Sequence, residues 1–312
     1  MKFTMRTLLI TLVLLAAVPG AMAQNLTLML DWFPNVDHLP IYVAQEKGYF
    51  TEENVQVKIL SPSDTADALK LAVAGKVDLA VSYEPQTIIA ASEGLPVRVA
   101  GRLVAHPLTT LLFLKAKGYT APSALSGQAI GYTVPGLMDV LLEAFAKING
   151  IENYTAVNVG FNIVPALTSG QVAAVMGPFK TYETVTMAAK GIEAAYFELE
   201  HWGIPDYDEL IFIAGAATLA RKNDAVQGFM RAVARGLDDA CNRPEAALQA
   251  YFKAVPDVDK AIETAAFERT RPYFARTQTI DSKRWQAFAD FAAAHGLIDR
   301  PVDVKTLFSS QD

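Results

Sequence analysis

The chain has 312 residues, of which 52% are hydrophobic, and its formal net charge is −6 at pH 7. A chain of this length usually divides into two lobes, because a single hydrophobic core stops growing at roughly 250–300 residues. The acidic balance and the lack of a basic run argue against nucleic acid as a partner. The single cysteine, Cys241, excludes an internal disulfide, and we expect it to be a small core residue within a helix.

The first 23 residues have the layout of a secretory signal. Lys2 and Arg6 precede the apolar run Leu8–Val18, and Ala21-Met22-Ala23 is a small-residue cleavage site. The alternative is an uncleaved membrane anchor, but the run is shorter than the roughly 20 residues that a spanning helix needs. No cysteine follows the cleavage site to accept a lipid. We therefore predict a signal peptide over 1–23, cleavage after Ala23, and an acidic mature chain in the periplasm.

Strands and helices alternate through the first part of the mature chain. In chain order, the patterns predict strand Asn25–Leu30, helix Leu39–Lys47, strand Val55–Leu60, helix Ser63–Ala74 and strand Val77–Ser82. Gly48 and Gly75 follow the two helices, as glycine often does at a helix C-terminus. This order is typical of a mostly parallel sheet with crossover helices.

A second series of the same kind begins near residue 121. It predicts strand Ala129–Tyr132, helix Leu137–Ile148, strand Ala156–Val159, helix Ile163–Ser169 and strand Val172–Met176. Residues 71–81 and 166–176 each read as a helix, a stop glycine and a buried strand. This weak internal similarity predicts two lobes of similar build.

The remaining sequence predicts how the two lobes are joined. Leu210–Ala217 has the pattern of a strand that returns to the first lobe, and Asp224–Phe308 is almost wholly helical. Two extended crossings, near Leu108–Lys115 and Pro205–Ile213, would form a hinge beside a ligand cleft. We thus predict an α/β protein with lobe 1 formed by 24–110 and 208–312, and lobe 2 by 111–207.

Catalytic and metal-binding signatures are lacking in the sequence. There is no G-x-S-x-G elbow, phosphate loop, G-x-G-x-x-G fingerprint or H-E-x-x-H motif. The four histidines are scattered, with none at ligand spacing on a shared helix. We therefore expect a binding protein without catalysis, cofactor or metal.

Polar and aromatic residues instead gather after predicted strands, where the carboxyl ends of parallel strands face a ligand crevice. The clusters are Asp31–His38, Ser82–Pro85 and Gly177–Glu183. Aromatic faces can enclose a flat ring, and a carboxylate accepts hydrogen bonds from an exocyclic amine. The candidate ligand-binding residues are Trp32, Asn35, His38, Tyr83, Glu84, His106, Phe179, Tyr182 and Glu183.

Each candidate also has a purely structural interpretation. Trp32 can cap the core, and Glu183 can be an acidic residue of a first helical turn that is favoured by the helix dipole. Phe179 and Tyr182 can pack between the lobes without touching a ligand. His106 precedes a proline and can orient a hinge loop.

Several of these runs resemble one known family. The segment Asp31-Trp32-Phe33-Pro34-Asn35 with His38, Lys47–Phe50, Ser82–Pro85 and Val159–Asn162 resembles the periplasmic pyrimidine-binding proteins of thiamine-precursor importers. The resemblance implies a type II periplasmic-binding-protein-like fold, an ABC permease in the inner membrane as partner, and a formylated aminopyrimidine as the commonest solute. Delivery of a solute to a permease suits a monomer, although the sequence itself does not give the oligomeric state.

The resemblance assigns roles to the candidate residues. Trp32 and Tyr83 would stack on the ring, and Glu183 would hold its amino edge. Asn35 and His38 would line the first lobe. The chain departs from the family at Lys180, which stands where relatives often have an aromatic residue, and we expect it to shorten the stack or to favour an acidic or carbonyl-bearing solute.

Other functions stay open at this point. Proteins of similar sequence take up sulfonates, nitrate or riboflavin. The resemblance also reaches intracellular enzymes that make the thiamine pyrimidine from their own histidine and a pyridoxal cofactor, although their cysteine-rich segment is absent here and an export signal is present. A sensory ectodomain would use the same cleft as a transport protein.

Overall fold

A computed structural model describes residues 23–308, so most of the predicted signal peptide lies outside the described residues. Within residues 23–308, ten strands form two separate mixed sheets. The strands are β1 (Gln24–Met29), β2 (Val55–Leu60), β3 (Leu79–Ser82), β4 (Val97–Val104), β5 (Thr109–Leu114), β6 (Ala129–Tyr132), β7 (Thr155–Asn158), β8 (Ala174–Phe179), β9 (Ala194–Glu198) and β10 (Leu210–Gly215). The first sheet has the order β2-β1-β3-β10-β4 and the second β7-β6-β8-β5-β9. The predicted α/β fold with two lobes is confirmed.

Helices cover both sheets. They are α1 (Leu39–Glu46), α2 (Tyr49–Glu52), α3 (Asp67–Val73), α4 (Glu84–Ser92), α5 (Met138–Asn149), α6 (Ile163–Thr168), α7 (Glu183–Ala189), α8 (Ala216–Asn242), α9 (Pro244–Ala254), α10 (Lys260–Thr270) and α11 (Ser282–Ala294). The C-terminal part is largely helical, as predicted, with Cys241 buried in α8. Among residues 23–308, no helix combines the length and the apolar character needed to cross a membrane.

The parallel pairing of the first sheet places its functional loops. Strand β1 pairs in parallel with both β2 and β3, so the loops after β1 and β3 leave the same edge of the sheet. The helix that follows the first loop is held by close packing: a Cβ on Gly236 of α8 would lie 2.0 Å from the carbonyl oxygen of Pro40 in α1. This contact fixes α1 and, with it, the end of the loop that precedes the helix.

Two predicted boundaries differ from the observed elements. The helix predicted from Ser63 begins only at Asp67, because the Asp67 carboxylate accepts hydrogen bonds from the Ser63 hydroxyl and the Asp64 amide and holds these residues in a turn. The strand predicted to end at Met176 continues to Phe179, so the start of the third predicted loop cluster belongs to β8.

The chain passes between the sheets twice, at residues 105–108 and 203–209, and one carboxylate links the two crossings. The Glu209 carboxylate accepts hydrogen bonds from the backbone N–H of Leu108 (2.5 Å) and Thr109 (2.7 Å) and from the Thr109 hydroxyl (2.8 Å). Burial raises the pKa of Glu209 to about 7, although these hydrogen bonds act to lower it. The hinge is thus built around a buried acid.

Candidate functional site

A cavity lies between the two sheets, at the end where β1, β3 and β8 finish. Residues from both lobes line it. They are Asp31, Trp32, Asn35, Asp37, His38, Tyr83, Thr133, Ile163, Gly177, Phe179, Tyr182, Glu183 and Leu210. Seven of the nine predicted ligand-binding residues are therefore brought together in one place.

In the first lobe, a buried carboxylate organises the cavity wall. Asp31 accepts a hydrogen bond from the Tyr83 hydroxyl at 2.7 Å and contacts His38 Nε2 at 2.8 Å, so each of its oxygens has a partner. Burial and the neighbouring Asp31 charge raise the pKa of Tyr83 well above its ordinary value, so the phenol stays protonated and donates. These contacts hold the aromatic ring and the imidazole in fixed positions.

The turn after Trp32 exposes an amide group to the cavity. Asn35 is the N-cap of a short 3-10 helix, and its Oδ1 accepts a hydrogen bond from the Asp37 amide at 2.8 Å. Among the described residues, the Asn35 Nδ2 group has no acceptor, so its two N–H donors are available to a solute.

Asp37 is the second carboxyl group of this wall and is only 1% exposed. Its Oδ1 accepts a hydrogen bond from the Thr270 hydroxyl of α10 at 2.8 Å, whereas its buried Oδ2 has no partner among the described residues. Burial raises the pKa of Asp37 to about 7, and the charges of Glu183 and Asp31 act in the same direction.

The second lobe supplies the opposite wall. The Glu183 carboxylate, at the start of α7, accepts a hydrogen bond from the Phe179 amide at 2.6 Å, and its other oxygen accepts none from another residue among 23–308. Burial raises the pKa of Glu183 to about 7. Gly177 lies beside it with φ at 123°, and a Cβ there would lie 2.0 Å from Thr133 Oγ1. Glycine is therefore required at this point of the wall.

Side chains of the two lobes also meet directly around the cavity. The Phe161 ring lies 4.5 Å from the Trp32 ring and 4.4 Å from the Phe33 ring, measured between centroids. The Tyr182 hydroxyl donates to Glu263 of α10 at 2.7 Å. The cleft is consequently closed in this structure.

Two predicted ligand-binding residues lie outside the cavity lining, at the hinge. Glu84 is fully buried and accepts a hydrogen bond from the Asp208 amide at 2.7 Å; burial and the Asp208 charge raise its pKa well above the ordinary value. His106 is largely exposed and pairs with Asp206 at 2.9 Å. The structure gives both residues hinge contacts instead of cavity contacts.

Lys180 also does not line the cavity, contrary to the expectation that it would shape the solute. Its ammonium group is buried between Glu198 and Glu200, 2.7 Å from each, and lies 5.2 Å from the centre of the Tyr273 ring. The positive charge of Lys180 is therefore neutralised by two carboxylates of the second lobe and does not face the cavity.

Other residues that line the cavity are not among the nine predicted ligand-binding residues. Asp31 and Asp37 stand in the first loop cluster, and their position after a strand was a usable signal. Thr133 directly follows β6 and carries the same signal, whereas Ile163 and Leu210 do not, because only the folded chain brings them to the cavity.

Comparison with known proteins places the chain among thiamine-related sequences. A Haemophilus influenzae protein named for thiamine biosynthesis is 35% identical, with 98% of each chain covered. The formylaminopyrimidine-binding protein of Halalkalibacterium halodurans is 29% identical, covering 92% of this chain and 90% of the relative. The 4-amino-5-hydroxymethyl-2-methylpyrimidine phosphate synthase of Aspergillus parasiticus is 30% identical, covering 88% and 84%.

Solved structures support the fold. The alkanesulfonate-binding protein SsuA of Xanthomonas axonopodis pv. citri superimposes with a TM-score of 0.73 at 16% identity, covering 93% of this chain and 99% of that one. A Candida albicans protein described as having the generic periplasmic binding protein fold also gives 0.73 at 16% identity, covering 91% and 96%. Residues 35–247 match the model of the family described as NMT1/THI5 like. This chain therefore belongs to the NMT1/THI5-like family and has the periplasmic-binding-protein fold.

Proposed function

We propose that this chain is the solute-binding component of an ABC importer and that its cleft takes an aminopyrimidine of the thiamine-precursor type. The observation that carries the proposal is the composition of the cavity wall: aromatic rings from both lobes together with a carboxyl group that has one unpaired oxygen. The name of the Halalkalibacterium halodurans relative supports the same solute class.

The wall matches the chemistry of such a ring. Trp32 and Phe179 offer aromatic surface to a flat heterocycle. The unpaired Glu183 oxygen can accept a hydrogen bond from an exocyclic amine, and the Asn35 Nδ2 group can donate to a ring nitrogen. The wall thus offers such a ring both a hydrogen-bond donor and an acceptor.

The charge of the wall argues against sulfonate and nitrate as solutes. Within the described part of the chain, three carboxyl groups line the cavity and no lysine or arginine does; His38 already pairs with Asp31. Apart from His38, which contacts Asp31 through Nε2, an anion would meet three carboxyl groups and no lysine or arginine in the described wall, at a high cost in desolvation. Riboflavin is a larger and uncharged solute, and the titration described below tests whether the cleft binds it.

The alternative function is that of an enzyme, because several relatives are named as synthases. The residues of the cavity wall argue against it. Those synthases are named for a phosphate product, and the described wall has no Arg or Lys to hold a phosphate. A pyridoxal cofactor also lacks a lysine amine in the wall with which to react. We therefore favour binding without catalysis.

We also propose where the protein acts and with which partner. The signal-like first 23 residues support export to the periplasm, and the fold supports delivery to a permease in the inner membrane. We further propose that the mature chain acts as a monomer.

Calorimetric titration of the mature protein with aminopyrimidines, riboflavin, alkanesulfonates and nitrate tests the proposal. We expect saturable binding of aminopyrimidines alone. Glu183→Gln should weaken that binding roughly 10- to 100-fold, the loss expected for about 1.5–3 kcal/mol from a hydrogen bond to a charged group. The exposed Glu152→Gln variant is the matched control for loss of one negative charge. Binding of sulfonates alone would contradict the assignment.

A further inference from the structure

Asp37 lines the cavity with a carboxyl group that lacks a complete set of hydrogen-bond partners. Thr270 donates to Oδ1, which leaves Oδ2 buried and unpaired among the described residues. Buried polar atoms without partners are uncommon, because leaving one unpaired costs about 1–3 kcal/mol. An unpaired buried acceptor in a cavity wall therefore points to a donor on the molecule that fills the cavity.

A comparison of the three cavity carboxyl groups shows where a solute can bind. Asp31 is fully engaged with Tyr83 and His38. Within residues 23–308, Asp37 keeps Oδ2 unpaired, and the second oxygen of Glu183 accepts no hydrogen bond from another residue. These two oxygens come from opposite lobes, so a solute between them would offer a donor group to each.

The surroundings of Asp37 also specify the charge of its donor. The acids Asp31, Glu183 and Glu263 lie on the elements around it, and the base whose charge acts on Asp37 is His38, which contacts Asp31. No lysine or arginine lines this part of the described cavity. A positively charged group would offset the repulsion among these acids, which a neutral donor would do only weakly.

We propose that Asp37 binds a protonated amine on the solute, and that the cleft therefore prefers an aminopyrimidine with an aminomethyl arm over its neutral N-formyl derivative. The inference rests on the proposed function and narrows it to one class of solute. Glu183 holds the ring amine and Asp37 holds the ammonium group of the arm, with the aromatic walls on the ring faces. The Thr270 hydroxyl satisfies the hydrogen bonding of only one of the two Asp37 oxygens.

The test compares three solutes by calorimetry: 4-amino-5-aminomethyl-2-methylpyrimidine, its N-formyl derivative and the 5-hydroxymethyl analogue. We expect the wild-type protein to bind the aminomethyl compound at least 10-fold more tightly than the other two. This measurement requires no variant, so a folding defect cannot obscure it. Equal or tighter binding of the N-formyl compound would overturn the inference.

Asp37→Asn then tests the residue itself, because asparagine keeps an oxygen for Thr270 and removes the charge. We expect the variant to lose at least 10-fold in affinity for the aminomethyl compound and less than about 3-fold for the N-formyl compound, with Glu152→Gln unchanged for both. Equal weakening for all three solutes would refute the role of Asp37. Binding of none of them by the wild type would overturn the proposed function as well, whereas binding without discrimination overturns the inference alone.

Discussion

The buried carboxyl group at the hinge predicts a specific pH dependence of stability. The folded-state pKa of Glu209 is about 7, raised from an ordinary value of 4.5. Between these values the folded chain holds a proton that the unfolded chain has released, so the free energy of unfolding falls as pH rises through about 7. From pH 5.5 to 8.0 this single group should remove about 2 kcal/mol.

Glu209→Gln should abolish this contribution while keeping the hinge contacts. The glutamine oxygen can accept the Leu108 and Thr109 N–H groups, and its NH₂ group can donate to the Thr109 hydroxyl. We expect the stability of the variant relative to wild type to be about 2 kcal/mol more favourable at pH 8.0 than at pH 5.5. Asp37 and Glu183 titrate in both proteins, so their effects cancel in this difference.

Urea unfolding of the solute-free proteins at the two pH values measures this difference, with the exposed Glu152→Gln variant as control for the loss of one charge. A relative stability that stays constant between pH 5.5 and 8.0, within about 0.5 kcal/mol, would refute the account of a protonated acid in the hinge.

Three further substitutions test the cavity. Trp32→Ala should weaken solute binding by about 1–3 kcal/mol with the melting temperature nearly unchanged, as measured by calorimetry and thermal unfolding; unchanged affinity would place the ring elsewhere. Gly177→Ala should lower the free energy of unfolding in urea by about 1–3 kcal/mol, because its left-handed φ and the nearby Thr133 side chain leave no room for a methyl group; a neutral effect would contradict this geometry. Phe161→Ala should raise the solute dissociation rate several-fold in stopped-flow measurements, because its ring links the lobes through Trp32 and Phe33; an unchanged rate would exclude a closing role.

The sequence predicted the fold where local patterns determine the elements. Strand β6 was predicted at its exact bounds, Ala129–Tyr132, because it is a short, largely buried segment preceding a helix. The site loop Asp31–His38 was also predictable, since a polar and aromatic run directly follows the first strand. In both cases the signal lies within a few consecutive residues of the sequence.

The errors arise where a partner lies far away in the chain. Glu84 follows a strand like a site residue, but its hydrogen-bond donor is the Asp208 amide, 124 residues later. Lys180 stands in the third loop cluster, yet Glu198 and Glu200 draw its ammonium group away from the cavity. No local pattern contains these pairings, because the Glu84 partner lies on a crossing between the sheets and the Lys180 partners follow from the arrangement of strands in the second sheet.

Helix α10 shows how such distant contacts assemble the site. Its last residue, Thr270, holds Asp37 of the first lobe, and its Glu263 accepts a hydrogen bond from Tyr182, which directly precedes Glu183 of the second lobe. The first contact lies on one side of the cleft, whereas the second crosses it and must break when the sheets separate. Closure therefore brings Glu183 against a wall in which Asp37 is already positioned, so both unpaired carboxyl oxygens are available to one solute only in the closed protein.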